Sequence, residues 1–405
     1  MKSVSIHSFL YYILLITFLF EATTGALRYY SDKLGLGLIV YIPKLLMFLS
    51  IFLMFSIRPT FESLIFGLIV LCYLLYSILT LPLASVMFGL YLLSPFFFGM
   101  LYAQNYSIDY SSDVVKIMKI VYWISMTGIW IEFFHPVPWE GYEQVIGGVY
   151  VEASRQWGMF GFDRLAGFSR ISSIAAIFIA ISSIFYIFSE KSGLLKLLFF
   201  ILSVPSIAMT TNKAVLTAYL ISSPLLFRFI RERFLKISII LGSLFGVLLP
   251  LLSIFSKFYI DLNNPMSLLY LSSFQERLSY TWPHVYRMVS EFSEDFILRY
   301  FWGLGIGGFG TSAKYFFIAD LGVADNMWLY IYSMFGIFGV LFMFYIVFNY
   351  VKNRKNDFDV YAYSLNLLLW IGLTTDIFES LIALFLIGYM SHISKYNKKR
   401  CKTGN

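Results

Sequence analysis

The chain has 405 residues, 59% of them hydrophobic and only 13% charged, with 30 Lys and Arg against 23 Asp and Glu for a net charge of +7. Soluble domains are about half apolar and about a quarter charged, so this composition excludes water as the main solvent. The positive balance does not mark a nucleic-acid binder, because Lys and Arg are spread over short loops between apolar runs and form no basic face.

Taken in chain order, apolar runs recur at 8–27, 35–57, 61–79, 83–102, 114–134, 165–188, 194–209, 213–230, 235–256, 326–349, 360–376 and 378–394. Each approaches the roughly 20 residues that a helix needs to cross a bilayer. The expected fold class is therefore all-α: a polytopic helical integral membrane protein with about twelve spans. It is read as a single transmembrane domain over residues 1–405. The first run follows Lys2 and ends in the small stretch Thr24-Gly25-Ala26, as a signal peptide would, but its length and the runs behind it predict an uncleaved span. Pro43, Pro95, Pro205 and Pro224 fall inside runs, where a missing amide hydrogen predicts bends.

Basic residues in short loops set the orientation. Lys2, Arg58, Lys116, Lys119, Lys191, Lys196, Arg228, Arg231, Arg233, Lys236, Lys352, Arg354, Lys355 and the tail from Lys395 all fall on one side, which is therefore expected to be cytoplasmic. The opposite short loops carry only Arg28, Lys33 and Lys213. Both termini are then expected inside, and the two long loops, 135–164 and 257–325, outside.

Several chemistries lack their residues. Cys72 lies in an apolar run and Cys401 in a basic tail, a pattern that suits neither a disulfide nor a metal cluster. His7, His135, His284 and His392 are scattered and form no His-Glu-x-x-His pair, so no metal is expected. Neither a Gly-x-Ser-x-Gly elbow nor a phosphate loop is present, which leaves serine hydrolases and ATP-driven pumps without support.

The external loops hold most of the chemistry. The first carries Glu140, Glu143, Glu152, Arg155, Asp163 and Arg164 and runs into Arg170; the second carries Glu276, Arg277, His284, Arg287, Arg299 and Lys314 and closes on Asp325-Asn326. An arginine fork matches two phosphate oxygens, so a group of arginines beside a bilayer suits a diphosphate headgroup. Solvated loop arginines, or arginines held against anionic membrane lipids, are the plainer reading of each one singly.

Short stretches in a fixed order give the chain a resemblance. Arg164-Leu-Ala-Gly167-Phe-Ser169 leads into one run, and Thr211-Asn212-Lys213 opens a later one. Ser273-Phe-Gln-Glu-Arg277 stands ahead of Trp282, followed by Phe301-Trp-Gly303-Leu-Gly305-Ile-Gly307, Asp325-Asn326-Met-Trp328 and Phe335-Gly336-Ile-Phe-Gly339. This order, across about 160–340, resembles the O-antigen polymerase and ligase superfamily. The resemblance implies a helical fold of the membrane glycosyltransferase (GT-C-like) type in a bacterial inner membrane, with its long loops in the periplasm. It also implies an undecaprenyl-diphosphate-linked oligosaccharide as donor, no nucleotide sugar and no cofactor. A chain-length regulator and a flippase are the partners it suggests. Many members, ligases especially, have His-Asn where this chain has Asp325-Asn326, which favours a polymerase over a ligase acting on lipid A core. A flippase is the transporter alternative, but no internal repeat is visible and the chain's bulk lies in one long loop.

In a reaction of that kind diphosphate leaves as a polyanion, so fixed positive charge is the first requirement. Arg164 and Arg277 are the catalytic candidates for it, with Arg170 and Arg299 in support. Asp325 is the candidate base for the acceptor hydroxyl, with His284 and Glu276 as alternatives. A helix cap is the competing reading of Asp325. Arg155, Lys213, Arg287 and Asn326 complete the expected substrate-binding set.

Gly303-x-Gly305-x-x-Gly308 matches the dinucleotide fingerprint, but no strand precedes it; a tightly turned backbone, or amides close to a phosphate, are the remaining readings. Glu21 and Glu132 lie near outer ends of runs, whereas Lys44 is deep enough to need a partner, either a phosphate or, as the preferred reading, a carboxylate on a neighbouring helix. Asp376 and Glu379 read as solvated or capping residues of an outer turn. Trp139, Trp157, Trp282 and Trp302 read as interfacial anchors before sugar platforms.

Overall fold

The computed structural model of the chain describes residues 6–57, 61–105, 111–146, 149–152, 158–159, 162–227, 232–255, 272–291, 296–353 and 360–403. Each apolar run of the sequence contains helix. The helices are α1 (Ile6–Ala22), α2 (Thr24–Lys33), α3 (Ile42–Ile57), α4 (Phe61–Thr80), α5 (Leu83–Asn105), α6 (Ser111–Phe134), α7 (Ser172–Ser189), α8 (Gly193–Met209), α9 (Lys213–Leu226) and α10 (Glu232–Phe255). They continue with α11 (Ser272–Glu276), α12 (Trp282–Glu291), α13 (Phe296–Trp302), α14 (Thr311–Phe316), α15 (Met327–Asn353), α16 (Val360–Ile371) and α17 (Leu381–Thr403).

Five helices are long and apolar enough to cross a membrane, over Leu83–Gln104, Asp113–Phe134, Ser172–Ser189, Arg233–Phe255 and Met327–Lys352; a sixth such segment is the bent pair α1 and α2. The other apolar helices are shorter, at 10–17 residues. Many large apolar side chains on these helices face outward, among them Leu68, Leu79, Leu248, Phe255, Leu341 and Phe348. Water would penalise such a surface, whereas lipid is a solvent for it, and a helix keeps every backbone group bonded within itself. The chain is a helical membrane protein.

Several boundaries differ from the sequence reading, each for a local reason. The first run breaks at Thr23 and turns through 86°. There the hydroxyls of Thr23 and Thr24 donate to the carbonyls of Leu19 and Phe20, a back-bonding that bends helices. Pro43 is the second residue of α3, behind a 3-10 turn over Gly37–Tyr41, so its missing amide falls where a helix has no use for it. Pro95, Pro205, Pro224 and also Pro250 do lie inside helices. The tenth run, however, breaks at a glycine: Gly336 in α15 has φ +62° and ψ −159°. The sixth run becomes helical only at Ser172, and the eleventh ends at Ile371. The first long loop also departs from the all-α expectation. Glu143–Ile146 (β1) pairs antiparallel with Val149–Glu152 (β2), and Gly158–Met159 (β3) with Phe162–Asp163 (β4).

The chain divides into two compact units. The first comprises 1–47, 102–231 and 358–367, and the second 48–101, 232–357 and 368–405. In the first, α7 is the centre, with Ala175, Ala176, Ile179, Ala180 and Ser183 fully covered or nearly so. Its small residues let α6, α8 and α9 approach, and Ser183 donates to the Tyr219 hydroxyl at 2.8 Å. Lys44 pairs with Glu21 at 3.1 Å, which supplies the carboxylate partner its depth requires. In the second unit α15 is central and packs against α10, α13 and α17.

Candidate functional site

The first unit builds a cationic corner from two of the sequence stretches. The stretch from Arg164 to Ser169 is clamped: the Gly167 amide donates to the Glu132 carboxylate, and the Gly167 carbonyl accepts from Trp139 Nε1 at 2.9 Å. Gly167 has φ +64°, and a Cβ there would lie 2.8 Å from the Ile129 nitrogen, so both conformation and space demand glycine. Ser169 donates to the Ala22 carbonyl at 3.0 Å, while the amides of Gly25 and Ala26 bond the Phe168 carbonyl at 2.9 and 3.2 Å. One residue before the clamp, the Leu165 amide reaches the Met209 carbonyl at the end of α8 at 3.4 Å.

That last contact brings Arg164 to the turn that opens α9. Asn212 caps α9 by accepting from the Val215 amide at 3.1 Å, and Lys213 is the helix's first residue. Thr211 sits at φ +53°, a conformation costly for a β-branched residue, and its Oγ1 is buried with no hydrogen-bond partner among the described residues. Arg164 is near enough to Lys213 for the two cations to repel. Two like charges and a buried hydroxyl thus lie at or near a helix N-terminus, whose amide dipoles favour an anion. Arg170 stands apart, donating from Nε to the Glu152 carbonyl at 3.0 Å. Arg155 and Trp157 lie outside the described residues.

The second unit joins a cation and a carboxylate 48 residues apart. Arg277 opens a π-helical turn, Arg277–Thr281, between α11 and α12, and its Nε donates to Asp325 Oδ2 at 3.2 Å. Widened turns of this kind recur at functional sites because they leave a side chain out of helical register. The Ser273 hydroxyl and carbonyl hold the Arg277 Nη1 at 3.4 Å each. Asp325 has φ +50°, and among the described residues it and Thr211 are the two non-glycine positions with positive φ. Each therefore falls in one of the two cationic clusters.

Asp325 is not the cap of α15; its neighbour takes that role. Asn326 is fully buried, its Oδ1 accepts from the Leu329 amide at 2.8 Å, and its Nδ2 donates to the carbonyls of Gly246 and Leu373 at 3.1 and 2.9 Å. With its amide so committed, Asn326 ties three segments together rather than meeting a substrate. The remaining cluster residues are dispersed. Glu276 and Arg287 are exposed, His284 stacks on Tyr280 with ring centres 5.4 Å apart, and Arg299 lies on α13 close enough to Tyr73 and Tyr76 for its charge to be felt.

Two carboxylates read from sequence as solvated or capping belong to this unit's polar centre. Glu379 accepts from the Thr311 amide and hydroxyl and from the Tyr330 hydroxyl, and Asp376 accepts from the Phe378 amide at 3.1 Å. Burial first, then repulsion from Glu379 and more weakly from Asp325, pushes the Asp376 carboxyl well above the usual carboxylate range, against a smaller opposing pull from the Phe378 amide. Asp325, Asp376 and Glu379 thus form one electrostatically linked group. The sequence signal was there: two acids three positions apart in a turn flanked on both sides by apolar runs.

Beside it lies an apolar cavity of about 250 Å³, lined by Phe66, Tyr73, Trp302, Phe335 and Phe378 among others. The glycine-rich stretch packs nearby with its amides in use. Leu304 and Gly305 donate to the carbonyls of Ser333 and Met334 at 2.8 and 3.0 Å, just ahead of the break at Gly336, and Ile306 donates to Ser77 Oγ at 2.8 Å. A broken helix has carbonyls to spare, and these amides satisfy them, so the stretch is a turned, packed backbone and not a phosphate cradle. Trp139 and Trp282 are buried, so neither offers a face to a sugar. Among the described residues no group of His, Cys, Asp and Glu is placed to hold a metal. No protein-family model, curated protein or solved structure matches the chain.

Proposed function

We propose that the protein is a membrane glycosyltransferase that polymerises undecaprenyl-diphosphate-linked oligosaccharide repeats into O-antigen or a related surface polysaccharide. In this reading the chain crosses a bacterial inner membrane about twelve times in a GT-C-like arrangement, with both termini in the cytoplasm and the two long loops in the periplasm. The observation that carries the reading is the Arg277 to Asp325 pair, which unites a fixed cation with a carboxylate on strained backbone.

The chemistry is a displacement. An acceptor sugar hydroxyl attacks the anomeric carbon of the donor, a new glycosidic C–O bond forms, and the bond to the diphosphate oxygen breaks with its electron pair. Asp325 takes the hydroxyl proton, while Arg277 stabilises the charge gathering on the departing diphosphate. Arg164 and Lys213 supply a second cationic point with the Thr211 hydroxyl. The apolar cavity suits the branched hydrocarbon of a polyprenyl tail. A chain-length regulator and a flippase are the expected partners.

Deleting the gene is the direct test. Surface lipopolysaccharide should then carry a single repeat, and single alanine variants at Arg164 and Arg277 should keep membrane abundance while polymer length collapses. Normal ladders from both variants would overturn the catalytic assignment, and a ladder surviving deletion in a strain with no other polymerase would overturn the function.

A further inference from the structure

The 86° turn after α1 carries α2 away from the direction of the first helix, and the face that α2 buries is unusual for a membrane protein. Its covered residues are Gly25, Arg28 and Ser31, at a spacing of three, so one polar stripe faces inward. Arg28 is only 6% exposed. Its Nε and Nη1 are buried with no hydrogen-bond partner, and no carboxylate pairs with it among the described residues. The guanidinium lies over the Tyr41 ring at 5.2 Å, an interaction that orients a cation without satisfying its N–H groups. Ser31 does not serve it, since that hydroxyl donates to the Arg28 carbonyl.

An arginine does not escape burial by losing its proton, so a covered guanidinium with two idle donors is stable only if an anion completes it. The surroundings point to where that anion comes from. Immediately after α2, Leu34, Leu36 and Leu38 are 74%, 56% and 70% exposed. Leucines left bare beside a helix that turns off the first span's axis fit the apolar boundary of a membrane, where phosphate-bearing headgroups lie.

We propose that the Arg28 guanidinium binds a phosphate group at the membrane interface, and that the phosphate belongs to an anionic lipid headgroup. A guanidinium offers its parallel N–H pairs from Nε with Nη2 or from the two Nη nitrogens, and either fork matches two phosphate oxygens. The inference does not depend on the glycosyltransferase reading.

The test uses the full chain purified in detergent, with phosphatidylglycerol, phosphatidylcholine or inorganic phosphate added and thermal midpoints and lipid retention by native mass spectrometry as readouts. Phosphatidylglycerol should raise the wild-type midpoint and phosphatidylcholine should not. Arg28→Met, which removes a buried unpartnered charge, should have the higher midpoint without lipid and bind phosphatidylglycerol about tenfold or more weakly. Arg28→Lys, which keeps the charge and loses the fork, should retain part of the response. An equal rise with inorganic phosphate would overturn the lipid source and support free phosphate at the same side chain. Arg28→Met and Arg28→Lys responding to phosphatidylglycerol as wild type does would overturn the proposal, whatever the polymer ladders show.

Discussion

Removing either member of the Arg277 and Asp325 pair leaves the other as a partly covered charge, and the size of that effect follows from the geometry. The nitrogen and oxygen are 3.2 Å apart, with side chains 21% and 36% exposed. Coulomb attraction at that distance is about 5 kcal/mol at an effective dielectric of ~20, before any desolvation cost. Solvent access on the Asp325 side screens most of it, so the expected coupling is about 1 kcal/mol. Backbone strain has to be kept out of the comparison. Asp325 has φ +50°, which asparagine tolerates and alanine does not, so Asp325→Asn is the clean probe. Unfolding free energies in mixed detergent for Arg277→Gln, Asp325→Asn and the double variant form a cycle. The double variant should be less destabilised than the sum of the singles by about 1 kcal/mol, and the difference should shrink with added salt. Additivity within about 0.3 kcal/mol would refute the pairing and remove the observation on which the proposed mechanism rests.

The Asp376 carboxyl is raised in the folded chain above its ordinary value of 3.8, so its contribution to stability is complete below that value and is lost as pH rises toward the folded value. Asp376→Asn should therefore match wild type in acid and gain on it by up to about 1.4 kcal/mol per pH unit above that, read as diverging thermal midpoints; parallel curves would refute the burial of this group. Gly336→Ala should cost about 3 kcal/mol or more, because φ is +62° and a Cβ would stand 2.6 Å from the Gly303 nitrogen. Gly193→Ala, with nothing within 4 Å, should be neutral or slightly stabilising by size-exclusion yield, and equal yields for the two would contradict the α15 break.

How much was legible in advance varies with the kind of signal. The positions of the helices were, since an apolar run in lipid has one way to satisfy its backbone. The break at Thr23 was less so, because back-bonding hydroxyls look in sequence like ordinary small residues. The hairpin Glu143–Ile146 with Val149–Glu152 was passed over although Gly147-Gly148 between its strands is a turn signal. Arg277 and Asp325 were each chosen from sequence, but their union across 48 residues was not visible there. Neither was the division of labour at 325 and 326, where the acid takes strained backbone and the amide takes the cap.

The sequence by itself determined the solvent and where the helices lie, since both follow from local hydrophobicity and the obligation of every backbone amide in a helix to find a partner within its own segment. Tertiary structure alone decided which polar groups meet. It drew Asp376 and Glu379 into one partly covered polar group, committed the glycine-rich amides to the carbonyls freed at Gly336, and buried Arg28 with two of its donor nitrogens idle. Those outcomes depend on which helices pack side by side, and a charge's partner lies across the bundle and not along the chain.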